Sequence, residues 1–229
     1  SALITVPASF NTDQRCDTLL AARIAGLESK RLIDEPTAAF DYFFDQHRQA
    51  SDLADWPYVL VFDFGGGTLD VSIIAVEQRG HEINIDTVGR SRYNDLGGDD
   101  IDMELATFFL GCWEYELGEE ISKAYSNELK AQIYRLFIEK SRAFKEETEE
   151  YLQAGEDVPE FFIEETAFTK ASKKEVSFHC QLDRSQYDEI VTRFFQTKSE
   201  LNIYRPIEEA ITVAKDIHPG FNKEDISLV

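Results

Sequence analysis

The chain has 229 residues, 43% of them hydrophobic, which is enough to bury a substantial core and excludes wholesale disorder. Its 44 Asp and Glu against 23 Lys and Arg give a formal net charge of −21, which argues against nucleic acid or an anionic membrane as a partner, because such binders need cations to displace counterions. No apolar run is long enough to span a bilayer, and the start, SALITVPASF, lacks the basic and apolar regions of a secretory signal.

Leu3 to Val6 reads as a short strand ended by Pro7. Asn11 with Gln14 gives a capping signal for a helix carrying Leu20, Ile24 and Leu27 at i, i+4, i+7 and stopping near Gly26. Arg31 to Ile33 predicts a second strand, and Pro36 opens a helix with Ala38, Ala39, Tyr42 and Phe43 turned inward. The polar stretch Gln49 to Pro57 predicts a subdomain boundary. Tyr58 to Phe62 and Val71 to Val76 are nearly continuous apolar runs, the pattern of strands buried on both faces. Ile83, Ile85 and Thr87 alternate as a third strand of an antiparallel meander.

Gly97 and Gly98 then precede a helix capped by Asp99, with Ile101, Leu105, Phe108, Phe109 and Cys112 on its buried side. A long helix is predicted from Asn127 to about Leu152, with Leu129, Ile133, Leu136, Phe137 and Phe144 along one face and an acidic, solvated end. Phe161 to Phe168 and Glu175 to Leu182 form a hairpin pattern. Asp183 with Gln186 caps a helix bearing Tyr187, Ile190, Val191, Phe194 and Phe195. A further helix begins at Pro206 with Ile207, Ile211 and Ala214, and Ile226 to Val229 opens a last strand. Strand meanders alternating with helices make the class α/β or α+β. Cys16, Cys112 and Cys180 are far apart in sequence and read as small buried hydrophobes in a reducing cytoplasm, and neither they nor the four His residues form a zinc or triad pattern.

The residues that carry chemistry are DFGGGTLD, Asp63 to Asp70. Three glycines between two buried strands are costly, since glycine loses most backbone entropy and packs nothing. Without Cβ atoms, Gly65, Gly66 and Gly67 can aim backbone N–H groups at an anion, and Thr68 adds a hydroxyl. Asp63 and Asp70 would repel a bare phosphate, but suit one that carries a hard cation with its own waters. No Gly-Lys-Ser/Thr opens a helix, so this is not a Walker loop. Gly97 and Gly98 before a helix start are a weaker version of the same device.

Several segments in order, ITVPASFNTDQR at 4–15, IAGL at 24–27, LIDEPTAAFDY at 32–42, VFDFGGGTLDVSI at 61–73, LGGDDID at 96–102 and DISLV at 225–229, resemble the nucleotide-binding domain of DnaK-type heat-shock chaperones. The resemblance implies an actin-like ATPase (ribonuclease H-like) α/β fold, comprising the second lobe and part of the first. Residues 1–50 would belong to the first-lobe base, 51–98 with 183–229 to the second-lobe base, and 99–182 to its outer subdomain. It implies a cytoplasmic protein that binds ATP or ADP with Mg2+ and K+, and couples ATP hydrolysis to binding of client polypeptides. J-domain co-chaperones and nucleotide exchange factors would be its partners.

By the same resemblance, Gly65 to Thr68 meet the β- and γ-phosphates, Asp63 and Asp70 hold the metal through water, and Glu35 stands near the metal and the attacking water. Glu139 and Arg142 contact the adenosine, Gly97 and Gly98 are cofactor-binding at a helix start, and Pro7 and Arg15 relay nucleotide state between domains. Asp34 departs from the family's usual asparagine, Arg142 from a lysine, and Glu146 from a small hydroxyl residue; the last two bear on adenine affinity. The family's first phosphate loop and catalytic lysine would precede this chain and its adenosine loop would follow. The expectation is therefore that the chain folds, binds nucleotide weakly and does not hydrolyse ATP alone. Two other classes share the fold: an actin-like filament or cell-division ATPase, and a sugar kinase.

Overall fold

The computed structural model describes residues 2–29, 31–47, 57–79, 82–92, 95–168, 173–197 and 203–228, and the chain divides into two compact units, Ser1–Leu96 with Leu201–Val229, and Gly97–Glu200. The boundary expected between Gln49 and Pro57 falls almost wholly outside the described residues.

In the first unit, strands β1 (Ile4–Val6) and β2 (Leu32–Asp34) pair in parallel, joined by helix α1 (Thr12–Ile24), the crossover that parallel pairing requires. The capping box forms: Gln14 N–H donates to Asn11 Oδ1 at 3.0 Å, and Asn11 N–H donates to Gln14 Oε1 at 2.9 Å. The apolar stripe of this helix is not its packed face, however. Leu20, Ile24 and Leu27 are exposed, and the buried position is Ala22, about 200° around the helix from both Leu20 and Ile24.

Helix α2 (Glu35–His47) buries Phe40 against Val59, Ile74 and Val76, with Phe44 stacked on Phe40 at 6.1 Å. This corrects the expected inward set at Ala39 and Tyr42, while Ala38 and Phe43 are partly buried. A face centred on Phe40 sends residue 42 to the far side, and Tyr42 is 70% exposed and Ala39 exposed.

The meander forms as predicted from β3 (Tyr58–Phe64), β4 (Leu69–Arg79) and β5 (Glu82–Arg90), all antiparallel, and β8 (Ile226–Leu228) adds beside β3 in parallel to give the order β5-β4-β3-β8. Leu69 and every residue from Val71 to Val76 are buried. Strand β3 is fully buried only at Val59 and Leu60, and Phe62 is exposed. Helix α7 (Tyr204–Ile217) lies on β4 and β5 through Pro206, Ala210 and Ala214. A Cβ on Gly89 would stand 2.3 Å from the Ala210 carbonyl oxygen, so the strand admits only glycine there.

The second unit contains α3 (Gly98–Leu117), a single turn α4 (Ile121–Ala124), α5 (Asn127–Gln153), the hairpin β6 (Glu160–Phe168) and β7 (Lys173–Gln181), and α6 (Arg184–Thr197). Its core is aromatic: Phe109 stacks on Phe161 at 3.6 Å between ring centres, and Trp113, Phe137, Phe144 and Phe178 close around them. The predicted cap of α6 is present, with Gln186 N–H on Asp183 Oδ1 at 2.8 Å. Asp99 does not cap α3. Gly97 occupies that position, and Asp100, three residues on, reaches back to accept the Gly97 N–H at 3.0 Å. The cysteine expectation is also corrected. Cys16 is exposed, while Cys112 on α3 and Cys180 on β7 are partly buried neighbours with free thiols.

Among the described residues, no helix is long and apolar enough to cross a membrane.

Candidate phosphate and cation site

The glycine turn joins β3 to β4. Phe64 pairs with Leu69, and Gly65 N–H donates to the Thr68 carbonyl at 2.8 Å, so Gly66 and Gly67 form the tip of a tight hairpin. None of the three glycines has a positive φ; among the described residues that is confined to Gly26, Gly118 and Gly155. The glycines therefore serve approach rather than an unusual backbone angle. A Cβ on Gly67 would meet nothing within 4 Å, and both tip residues are exposed to whatever lies over the turn.

The register places Asp63 directly opposite Asp70, on the two strands that lead into and out of the turn. Like charges facing each other across a ladder destabilise it. Glu35, at the junction of β2 and α2, joins them. Burial first, then the charges of Asp63, Asp70 and Asp34, raise its carboxyl above the ordinary carboxylate range. Asp70 is raised too, mainly by burial and further by Asp63, with the Ser9 hydroxyl beside it pulling the other way. Among the described residues, no Lys or Arg forms an ion pair with Glu35, Asp63 or Asp70. These acids also do not close into a direct ligand set: no group of three His, Cys, Asp or Glu among the described residues could hold a metal by itself. The donor chemistry fits a hydrated hard cation, whose waters bridge the remaining distance to carboxylates.

Arg15 anchors the loop after β1. Its guanidinium donates to the Phe10 carbonyl at 2.9 Å and to those of Pro7 and Ala8 at 3.5 Å, and pairs with Asp34 at 2.7 Å. So Pro7, Arg15, Asp34 and Glu35 form one connected piece, within the same unit as the glycine turn. An apolar cavity of about 390 Å³ lies between α2 and β3, lined by Phe40, Phe43, Val59 and Phe62, and includes none of the predicted site residues.

The other predicted site residues belong to the second unit. Gly97 is buried and its N–H is taken by Asp100, and the Gly98 carbonyl accepts from Lys145 Nζ at 2.9 Å. Arg142 donates from Nε to Asp102 at 2.8 Å and from Nη2 to Asp99 at 2.7 Å, and Lys145 pairs with the other Asp102 oxygen. Asp102 is fully buried and receives both cations. Glu139 is exposed, one turn before Arg142, beside a small cavity of about 160 Å³ shared with Gln132, Arg135 and Glu165.

Sequence reasoning missed three participants. Lys145 had a local signal, since it sits three residues from Arg142 on one helix and so shares its face, whereas Asp102 belongs to another helix. Ser9 had none, because only the fold brings it to Asp70.

The chain is 41% identical over 122 residues to the chaperone protein DnaK of Burkholderia cenocepacia and to that of Burkholderia cepacia; each match covers 53% of this chain and 18% of the relative. The chain thus aligns with less than a fifth of the length of those relatives. The model of the family described as Hsp70 protein matches residues 1–219, and the chain belongs to the Hsp70 family.

Proposed function

We propose that the chain is part of the ATP-binding and ATP-hydrolysing domain of a DnaK-like chaperone. The observation that carries this is the convergence of Glu35, Asp63 and Asp70 around an open glycine turn, with no compensating ion pair among the described residues. A protein spends stability on such a cluster only where a ligand repays it.

In this reading the backbone N–H groups of Gly66 and Gly67 and the Thr68 hydroxyl hold the β- and γ-phosphates, with Gly65 closing the turn beneath them. Asp63 and Asp70 hold Mg2+ through its waters, with K+ beside it. When bound, the divalent ion supplies neutralisation of phosphate charge. Glu35 orients the attacking water and accepts its hydrogen bond, a role suited to a carboxyl whose proton affinity is already raised. Gly97, Gly98, Glu139 and Arg142 form the adenosine side. Because Arg142 is shared between Asp99 and Asp102, it acts there as a fixed rather than a mobile cation. Pro7 and Arg15 relay the state of the turn to the rest of the protein.

The fold reading is an actin-like ATPase, with 1–50 in the first-lobe base, 51–98 and 183–229 in the second-lobe base and 99–182 outside it. The partners are a cytoplasmic J-domain co-chaperone, an exchange factor and unfolded clients. The test is single-turnover ATP hydrolysis by the full-length protein with magnesium. Glu35→Gln lowers the rate at least tenfold while ADP affinity stays within threefold; an unchanged rate in this variant overturns the assignment.

A further inference from the structure

The loop from Pro7 to Phe10 is gripped from two directions. From α1, Arg15 holds the Pro7, Ala8 and Phe10 carbonyls. From the end of β5, Arg90 Nη1 donates to the Ala8 carbonyl at 2.8 Å. Arg90 pairs in register with Ser72, two residues beyond Asp70 on the same strand, so this bond ties the loop to the strand that leaves the glycine turn. Ala8 itself is 3% exposed. A carbonyl buried at such a place needs a donor, and a charged one holds it more firmly than a neutral one.

What the two arginines position is Ser9. Its Oγ is buried and makes no hydrogen bond of ordinary geometry among the described residues, yet it lies beside Asp70. An unpaired buried hydroxyl is uncommon, and an ion or ordered water is one of the few things that accounts for it. The acid beside it, Asp70, is one of those assigned above to a hydrated cation. Ser9 has the right chemistry for that shell, since a hydroxyl can donate to a carboxylate and accept from a bound water at once.

We propose that Ser9 is a further positioning residue of the cation site, donating to Asp70 and accepting from the cation's water, and that Arg90 holds it there through the Ala8 carbonyl. This rests on the reading of the glycine turn as a magnesium–nucleotide site. It adds two residues to that site, one of them on a strand that contributes nothing else to it.

The experiment measures ADP affinity of the full-length protein by calorimetry, with magnesium and with a chelator, for wild type, Ser9→Ala, Ser9→Thr, Arg90→Ala and Arg90→Lys. The expected result is that Ser9→Ala lowers the gain in affinity given by magnesium about fivefold, and Arg90→Ala about threefold, while the metal-free affinity stays within twofold. Ser9→Thr, which keeps the hydroxyl, and Arg90→Lys, which keeps a donor, recover at least half of the loss. Amide hydrogen exchange at Ser9 and Phe10 rises in Arg90→Ala and not in Ser9→Ala. A wild-type magnesium gain in Ser9→Ala overturns the proposal, as does an equal loss with and without the metal, or a failure of Ser9→Thr to recover. If Arg90→Ala does not fold, the Ser9 pair decides alone. A wild-type protein whose ADP affinity ignores magnesium overturns the underlying reading and this proposal with it.

Discussion

Asp70 in the first unit and Asp102 in the second are both carboxylates drawn into a folded interior, and the two units treat them differently. Asp102 is fully buried, and Arg142 and Lys145 each bring it a cation, with a second acid, Asp99, steadying the arginine. Asp70 is half-buried, faces Asp63 across the ladder, has Glu35 close by, and forms no ion pair among the described residues. The cores differ in the same sense. The second unit is locked by interleaved aromatic rings, whereas the first is an aliphatic sheet whose glycine tip stands open. A carboxylate whose charge the protein itself answers is part of the structure, and one whose charge it leaves unanswered is available to a ligand.

The sharpest way to break that contrast is Asp102→Ala. It leaves Lys145 and Arg142 without the buried partner they converge on, and should cost about 3 kcal/mol in urea unfolding of the unit that carries it. A change under about 1 kcal/mol would place Asp102 with the uncompensated acids instead.

A second test probes the interior of the same unit. Burial, with the adjacent Cys112, pushes the Cys180 thiol up to about 11, well above the ordinary thiol range. At pH 8 its thiolate fraction, and with it the rate of alkylation by iodoacetamide, should be about 100-fold below that of an unshifted thiol. Exposed Cys16 reacts first, and peptide mass spectrometry reads the order. Rapid labelling of Cys180 would show a unit far less closed than its packing.

Returning to the first unit, Gly67→Ala puts a methyl where nothing stands within 4 Å, so stability should hold within about 0.5 kcal/mol. Nucleotide affinity of the full-length protein should nevertheless fall about tenfold, because the methyl occupies the path of the phosphate. Retained affinity would make the turn an ordinary hairpin.

The smallest effect concerns pH. Glu35 and Asp70 bind protons more tightly folded than unfolded, so their contribution favours the fold at low pH and is lost as pH rises through the raised folded values. As they ionise, they oppose the fold. Asp70→Asn should therefore raise stability at pH 7 by roughly a few tenths of a kcal/mol after solvent screening, and have less effect near pH 4. Thermal unfolding across that range gives the sign; destabilisation at pH 7 would mean that a cation of the protein answers the Asp70 charge.

How much of this could be read from the sequence depended on the range of the forces concerned. The meander, the long α5 and both capping boxes were legible, because hydrophobic period and a donor three residues from its acceptor are local. The glycine turn with its flanking acids was legible for the same reason. Which helix face packs was not. Tyr42 and Leu20 look as apolar as Phe40 and Ala22, and only the surface waiting opposite decides between them. Nor was the pairing of Cys112 with Cys180, or the meeting of Ser9 with Asp70, since each depends on a contact between distant stretches. The error at Asp99 was of a different kind: the helix already starts at Gly98, Asp100 takes the Gly97 N–H, and the Asp99 carboxylate goes to Arg142.

The parallel pairing of β8 with β3 bears on how the chain assembles. Strand β3 is complete by Phe64, but its neighbour on one side arrives only with Ile226, after the whole of the second unit has been made. During synthesis the second unit can therefore reach its final packing while the first still waits for its last helix and edge strand. Folding of the insert draws the ends of a very long loop into fewer arrangements, and so eases a closure that an unstructured segment would delay. Until then β3 carries a bare hydrogen-bonding edge at Tyr58 and Val59, a stage at which a chain of this kind itself needs shielding from its neighbours.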